Sequence, residues 1–145
     1  MPEKETINRA REDAREGKSP STQAGEFVRE EMDHIREGKH GAASTKQTIA
    51  IGLSKARRAG VKLHAPKGPV ALRNKAKHDT EAGRNPNRKV SRKRSRATEA
   101  ALKREPRKAA SHESLSRQAR KTAAKRGKRA RQASAVKAAR TRKAA

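Results

Sequence analysis

The alternation of apolar and polar positions predicts three helices in the first 63 residues. Apolar residues recur there three or four positions apart, which is the spacing of one face of an α-helix. The strongest pattern lies in 44–63, where Ser44 with Gln47 forms a capping box and Gly60 is a stop signal. We therefore expect helices over about 3–16, 21–37 and 45–59.

The second and third of these helices carry facing apolar stripes and are joined by the short segment 38–43. Two helices connected in this way form an αα-hairpin. The loop is longer than that of a DNA-reading helix-turn-helix, so that motif is not predicted. The expected fold class is all-α, with a small helical N-terminal unit (residues 1–63) containing the hairpin, followed by a largely disordered basic tail with short helices.

The chain after residue 63 lacks a strong apolar pattern. Residues 64–94 contain scattered proline and glycine and are predicted to be a flexible basic linker. Residues 95–127 are predicted to be a basic segment with short helices, and residues 128–145 an Ala/Lys/Arg tail. Isolated helices of this length are marginal, and like charges one turn apart oppose them. We expect coil or fluctuating helix in this region, with more helix on a polyanion.

Charge is distributed unevenly along the chain. The 145 residues include 40 Lys or Arg and 15 Asp or Glu, a net charge of +25. Residues 1–64 carry net +3 and residues 65–145 net +22. A charge of this size and sign indicates a polyanionic partner, and nucleic acid is the usual one.

Several other classes of function are disfavoured by composition. Phe27 is the single aromatic residue, and single-strand and RNA-recognition folds need aromatic rings to stack bases. No apolar run is long enough to span a bilayer, and no N-terminal apolar signal is present. The histidines are scattered, cysteine is absent, and no catalytic or phosphate-loop motif occurs. We expect no enzyme activity, metal, cofactor, small-molecule substrate or membrane partner, and a cytoplasmic, nucleoid-associated location.

The predicted third helix offers basic and hydrogen-bonding side chains beside Ile51. Three roles of this surface remain open: it reads base edges, it is a solvated basic face, or it forms a dimer contact centred on Ile51. Simple contact with DNA phosphates is favoured over all three. The predicted DNA-binding residues are Lys46, Gln47, Lys55, Arg57, Arg58, Lys62, Arg88, Lys89, Arg92, Lys93, Arg94, Arg96, Arg117, Arg120, Lys121, Lys125, Arg126, Lys128, Arg129 and Arg131.

A family resemblance points the same way. Residues 18–63, with the string SPSTQAGEFVREEMDHIREGKHGAASTKQTIAIGLSKARRAGVKL, resemble the core of a bacterial family of unknown function. Members of that family are commonly labelled DNA-binding or plasmid-stabilisation proteins. Residues 94–127 resemble it more loosely, and Pro106 stands where glycine would be expected. The tail is similar in kind to the Ala/Lys/Arg arms of linker histones.

The function expected from these features is histone-like. The protein is predicted to bind duplex DNA largely independently of sequence by neutralising phosphates, in nucleoid organisation or plasmid stabilisation. Two alternatives stay open: a binder of structured RNA, and a protein-interaction component of a plasmid-maintenance system. A homodimer through the hairpin is also open.

Overall fold

The computed structural model describes residues 2–85, 89 and 91–144. The described residues form six α-helices and one 3₁₀ helix, and no strand. The α-helices are α1 (Lys4–Arg15), α2 (Pro20–Arg36), α3 (Thr45–Arg58), α4 (Val70–Arg84), α5 (Arg92–Arg104) and α6 (His112–Ala144), and the 3₁₀ helix (Arg107–Ala110) lies between α5 and α6. The predicted all-α class is confirmed.

The prediction of a largely disordered basic tail is wrong. Helices α4, α5 and α6 occupy most of the described chain after residue 63. Helix α4 lies inside the segment 64–94 that was predicted to be a flexible linker. Alanine, arginine and lysine are strong helix formers, so the intrinsic preference of these residues outweighs the repulsion between like charges.

Local contacts at the start of the basic helices add to that preference. The Ser91 hydroxyl accepts a hydrogen bond from the Arg94 amide and caps α5. The Ser111 hydroxyl accepts from the Ser114 amide at the start of α6. A Glu-to-Lys or Glu-to-Arg pair one turn apart supports each helix: Glu99 with Lys103, and Glu113 with Arg117.

The ends of α3 follow the capping signals in the sequence. The Ser44 hydroxyl accepts from the Gln47 amide at the N-terminus. At the C-terminus, the Gly60 amide donates to the Arg57 carbonyl and the Val61 amide to the Ala56 carbonyl, the two bonds of a Schellman motif. This motif needs a left-handed residue, and Gly60 has φ 96°. It returns Val61 to the core.

Helix α2 is central and packs against α1 and α3, while α4 packs on α3. Phe27 is the largest fully buried side chain. The buried apolar cluster around it consists of Ala10, Ala24, Phe27, Ala56 and Val61, with Ile7, Leu53 and Leu63 packed against it. With so many alanines, the core depends on close approach of helix backbones.

The chain divides into two compact units, an N-terminal unit (Met1–Ala110) and a C-terminal unit (Ser111–Ala145). The N-terminal unit runs beyond residue 63 because later segments bind the hairpin. The Thr45 hydroxyl donates to the Ala109 carbonyl at 2.7 Å, and the Gly41 amide donates to the Leu102 carbonyl at 2.9 Å. None of the helices in the described ranges combines the length and the apolar character that a bilayer crossing demands.

The crossing of α2 and α3 predicts opposite effects for two glycine substitutions. A Cβ on Gly52 would lie 2.7 Å from the Val28 Cα, whereas a Cβ on Gly25 would meet nothing within 4 Å. Gly52→Ala is expected to destabilise by about 1–3 kcal/mol through overpacking. Gly25→Ala, the matched control, is expected to stabilise by about 0.4–1 kcal/mol. Urea unfolding measures both, and equal effects would contradict this helix packing.

Candidate nucleic-acid interface

Lys55, a predicted DNA contact, lies instead against two buried carboxylates of α2. Its Nζ is 3.0 Å from Glu30 Oε1 and also contacts Glu31 Oε1. Glu30 and Glu31 are 4% and 1% exposed. Burial alone would lower the pKa of Lys55, but the hydrogen bonds that it donates to Glu31 and Glu30 outweigh burial and raise that pKa above its ordinary value. Lys55 is therefore an internal counter-ion.

Arg58 also binds within the protein. Its Nε donates to Asp79 Oδ1 at 2.9 Å, and Ser54 Oγ donates to Asp79 Oδ2 at 2.7 Å. Lys75 Nζ lies 2.6 Å from Asp79 Oδ1. Burial would raise the pKa of Asp79, but the bonds from Lys75, Ser54 and Arg58 lower it below its ordinary value. This carboxylate joins α4 to α3.

The side of α3 that carries Ser54 and Arg58 therefore faces α4, although the Arg58 side chain is still 50% exposed. The two helices also approach closely at Gly83, where an added Cβ would be 2.6 Å from the Arg57 carbonyl oxygen. Gln47 is used locally, because its Oε1 accepts a hydrogen bond from the Ala43 amide at 2.8 Å. Lys55, Arg58 and Gln47 therefore already have partners within the chain, and their contact with DNA stays a prediction.

The other predicted contacts in the N-terminal unit are differently placed. Lys46 and Lys62 are exposed, and Arg57 is half-buried. Every side chain of α5 is exposed except Leu102, which is half-buried. The exposed predicted residues in or near α5 are Lys89, Arg92, Lys93, Arg94 and Arg96. Arg88 lies outside the described residues.

Helix α6 has two stretches separated at Gly127, whose φ of 73° and ψ of 165° interrupt the helix. All eight predicted contacts of the C-terminal unit are exposed: Arg117, Arg120, Lys121, Lys125, Arg126, Lys128, Arg129 and Arg131. None of the described side chains of α6 is buried. A charged helix without a buried face needs a partner or solvent on every side.

The first stretch of α6 arranges four of these cations as a stripe. Arg117, Arg120, Lys121 and Lys125 follow at i, i+3, i+4 and i+8, so they share one side of the helix. Arg117 also pairs with Glu113 one turn earlier. Such a stripe places positive charges at regular spacing along one edge of a helix, which suits a row of phosphates.

The two units differ in how much of their charge is balanced. Residues 111–145 contain twelve basic and one acidic residue, a net charge of +11, while residues 1–110 contain 28 basic and 14 acidic residues. Within the N-terminal unit, many of the acidic side chains pair with cations of the same unit, as in Arg9–Glu26, Lys39–Glu3 and Arg58–Asp79. The excess of basic over acidic residues is largest in α5, with six against one, and in α6, with twelve against one.

Removing the Asp79 carboxylate is expected to destabilise the protein in a pH-dependent way. Because its pKa is lowered in the folded state, it contributes stability above its unfolded pKa of about 3.9, which is lost as pH falls through the folded value. Asp79→Asn is expected to cost about 1.5–3 kcal/mol at pH 7, the worth of hydrogen bonds to a charged group.

Urea unfolding of the wild type and Asp79→Asn from pH 7 to pH 2 measures this effect. The difference in unfolding free energy is expected to shrink at the acid end. Glu81→Gln changes an exposed carboxylate on the same helix and is the matched control, expected to be nearly neutral. A difference that is constant with pH would contradict the role of Asp79.

The contacts made by the buried acidic residues and by two histidines were not predicted from the sequence. Glu30, Glu31 and Asp79 hold cations that lie 25, 24 and 21 positions away in the chain. The structure also brings His34 and His40 to Glu31, where one ligand atom from each lies within 4.8 Å of the others. The spacing of these histidines across a helix end was visible in the sequence, but nothing there placed Glu31 between them.

Comparison with known proteins adds no further assignment. The sequence matches no family model, and neither a curated protein nor a solved structure matches it. The resemblance to a plasmid-stabilisation family stays a prediction.

Proposed function

We propose that this protein binds duplex DNA through its phosphates, largely without regard to base sequence. The observation that carries the proposal is the division of its cations into two groups. Lys55 and Arg58 are held by buried carboxylates, whereas the basic residues of α5 and α6 are exposed on helices that bury almost nothing. A surface of this kind is expected to attract a polyanion.

Counter-ion release supplies the driving force. Each Lys or Arg that neutralises a phosphate releases condensed cations from the duplex, so many weak contacts add to a large affinity. Helix α6 alone contributes eight of the proposed contacts, four of them in the stripe from Arg117 to Lys125. Phosphate would also relieve repulsion between neighbouring cations and so favour the helical form of α6.

Duplex is favoured over single-stranded nucleic acid because no aromatic side chain is available for stacking. The single aromatic residue, Phe27, is 1% exposed and fills the core of the N-terminal unit. Binders of single strands depend on bases stacking against exposed rings. Contacts to phosphate alone carry no sequence information, so little preference among DNA sequences is expected.

Two cationic helices in different units allow more than one duplex to be engaged. Helix α5 belongs to the N-terminal unit and α6 to the C-terminal unit. If each binds its own phosphates, the chain bridges neighbouring DNA segments with an avidity above that of either helix. Compaction of a nucleoid or retention of a plasmid is the cellular role that we propose for such bridging.

Competition at fixed salt tests the class of partner. Full-length protein is bound to a labelled DNA duplex and challenged with unlabelled duplexes of unrelated sequence and with folded RNA of equal phosphate content. Unrelated DNA fragments are expected to compete as well as one another and at least as well as the RNA. Preferential displacement by RNA would favour the structured-RNA alternative, and no binding of either would favour a protein partner.

A further inference from the structure

A buried carboxylate and two histidines converge beside the end of α2. Glu31 is 1% exposed, His34 follows it by three residues, and His40 reaches it from the loop after the helix. His34 Nδ1 lies 3.7 Å from Glu31 Oε1, and His40 Nε2 lies 3.5 Å from Glu31 Oε2. The cluster is distinct from the basic helices α5 and α6.

The outer partners of both rings fix which nitrogen faces the carboxylate. His34 Nε2 lies 3.0 Å from Glu3 Oε1, and His40 Nδ1 lies 3.0 Å from the Gly41 carbonyl oxygen. An ionised carboxylate and a carbonyl only accept hydrogen bonds, so these two nitrogens donate. In neutral rings, the lone pairs are then on His34 Nδ1 and His40 Nε2, and both of these atoms face Glu31.

Two lone pairs beside a carboxylate repel one another unless a cation lies between them. A histidine whose far nitrogen donates to a carboxylate or a backbone carbonyl is the usual arrangement of a metal ligand, because the outer partner sets the tautomer and orients the ring. Here both outer partners are of those two kinds, Glu3 and the Gly41 carbonyl.

We propose that Glu31, His34 and His40 bind one divalent transition-metal ion, with Zn²⁺ the best match to this donor set. Zinc commonly takes three protein ligands from histidine and carboxylate and keeps a fourth position open. Bonds of about 2.0–2.1 Å in a tetrahedron place ligand atoms about 3.3 Å apart. One ligand atom from each of the three residues lies within 4.8 Å of the others, and His40 Nε2 is 3.5 Å from Glu31 Oε2, so the cluster must contract to bind an ion.

Lys55 does not have to leave for the ion to enter. Its Nζ lies between Glu30 Oε1 and Glu31 Oε1, whereas Glu31 Oε2 faces His40. The ion would join α2 to the loop 38–43. That loop donates hydrogen bonds from Gly41 to the Leu102 carbonyl and from Ala42 to the Pro106 carbonyl, so the ion would also hold the end of α5.

Zinc titration of the full-length protein, with a chromogenic chelator as competitor, tests the site. One equivalent is expected to bind with a dissociation constant of about 1 µM or tighter. His34→Gln and His40→Gln are each expected to weaken binding by more than the roughly 10–100-fold that loss of an outer partner costs, and Glu3→Gln by about tenfold. His64→Gln and His112→Gln change exposed histidines elsewhere and are expected to leave the affinity unchanged.

A second variant keeps the test decisive if either ligand substitution disturbs folding. Replacing His64, His78 and His112 by glutamine leaves His34 and His40 as the two remaining histidines of the five. X-ray absorption of the zinc-loaded variant is expected to show two imidazoles per ion. Weak or absent zinc binding by the wild type, retention of affinity in His40→Gln, or fewer than two imidazoles would overturn the proposal.

Discussion

Replacing the eight predicted DNA contacts among the twelve basic residues of α6 with glutamine is expected to weaken binding to duplex DNA by about 10³-fold or more at about 0.1 M salt. The affinity that one phosphate contact contributes falls by about 0.9 decades for each tenfold rise in salt. At about 0.1 M salt, the loss of three or four contacts is therefore enough to lower affinity by about 10³-fold. Glutamine retains a good helix propensity, so circular dichroism is expected to show α6 preserved. The residues are Arg117, Arg120, Lys121, Lys125, Arg126, Lys128, Arg129 and Arg131.

The matched control exchanges lysine and arginine at the same eight positions. This variant keeps the charge and alters the shape of each cation, so its affinity is expected to stay close to that of the wild type. Fluorescence anisotropy with one labelled duplex compares the three proteins. A glutamine variant that binds as tightly as the wild type would remove α6 from the interface.

Lys55→Met is expected to destabilise the protein by about 3–5 kcal/mol, because it leaves buried carboxylates without their cation. Glu30 and Glu31 are both almost fully buried and both contact Lys55 Nζ. Methionine is similar in length and fills the same space, so packing loss is small. Urea unfolding at pH 7 in the presence of a metal chelator measures the effect.

Lys46→Met is the matched control, since Lys46 is an exposed cation on the same helix. A change within about 0.5 kcal/mol is expected there. The two variants also separate an internal counter-ion from a DNA contact. Under conditions where both are folded, Lys55→Met is expected to keep the salt dependence of DNA binding, and a loss of stability below about 1 kcal/mol would contradict its internal role.

The hairpin was predictable because its signals are local. Ser44, Gly60 and the apolar stripe around Leu53 lie within one helix length, and each acts through neighbours in the sequence. Helix α4 was missed for the opposite reason. It docks on α3 through Ala76, Asp79 and Gly83, a stripe of small and charged residues, while its large apolar residues Val70 and Leu72 stay exposed.

The internal partners of Lys55 and Arg58 were not predictable, because each lies far away in the sequence. Nothing in 44–63 indicates that Lys55 faces Glu30 and Glu31, or that Arg58 faces Asp79 on a segment predicted to be linker. A sequence shows how many charges exist, but only the packing of α2, α3 and α4 shows which are already balanced. The cations of α6 have few possible internal partners, because the C-terminal unit contains one acidic residue among 35, and their contact with DNA stays a prediction.

The secondary structure after residue 63 was also not predictable from composition alone. Low apolar content indicates disorder when a segment must build its own core. Helices α5 and α6 build none, and they rest instead on helix propensity, serine caps and pairs one turn apart. Their exposure follows from the same composition, and it is the feature on which the proposed function depends.

The salt dependence of DNA binding by the full-length chain is the decisive measurement for phosphate neutralisation. The logarithm of affinity is expected to fall linearly with the logarithm of salt, with a slope of about −5 or steeper for six or more phosphate contacts, on duplexes of unrelated sequence. A flat dependence, or no binding to any duplex at low salt, would contradict it.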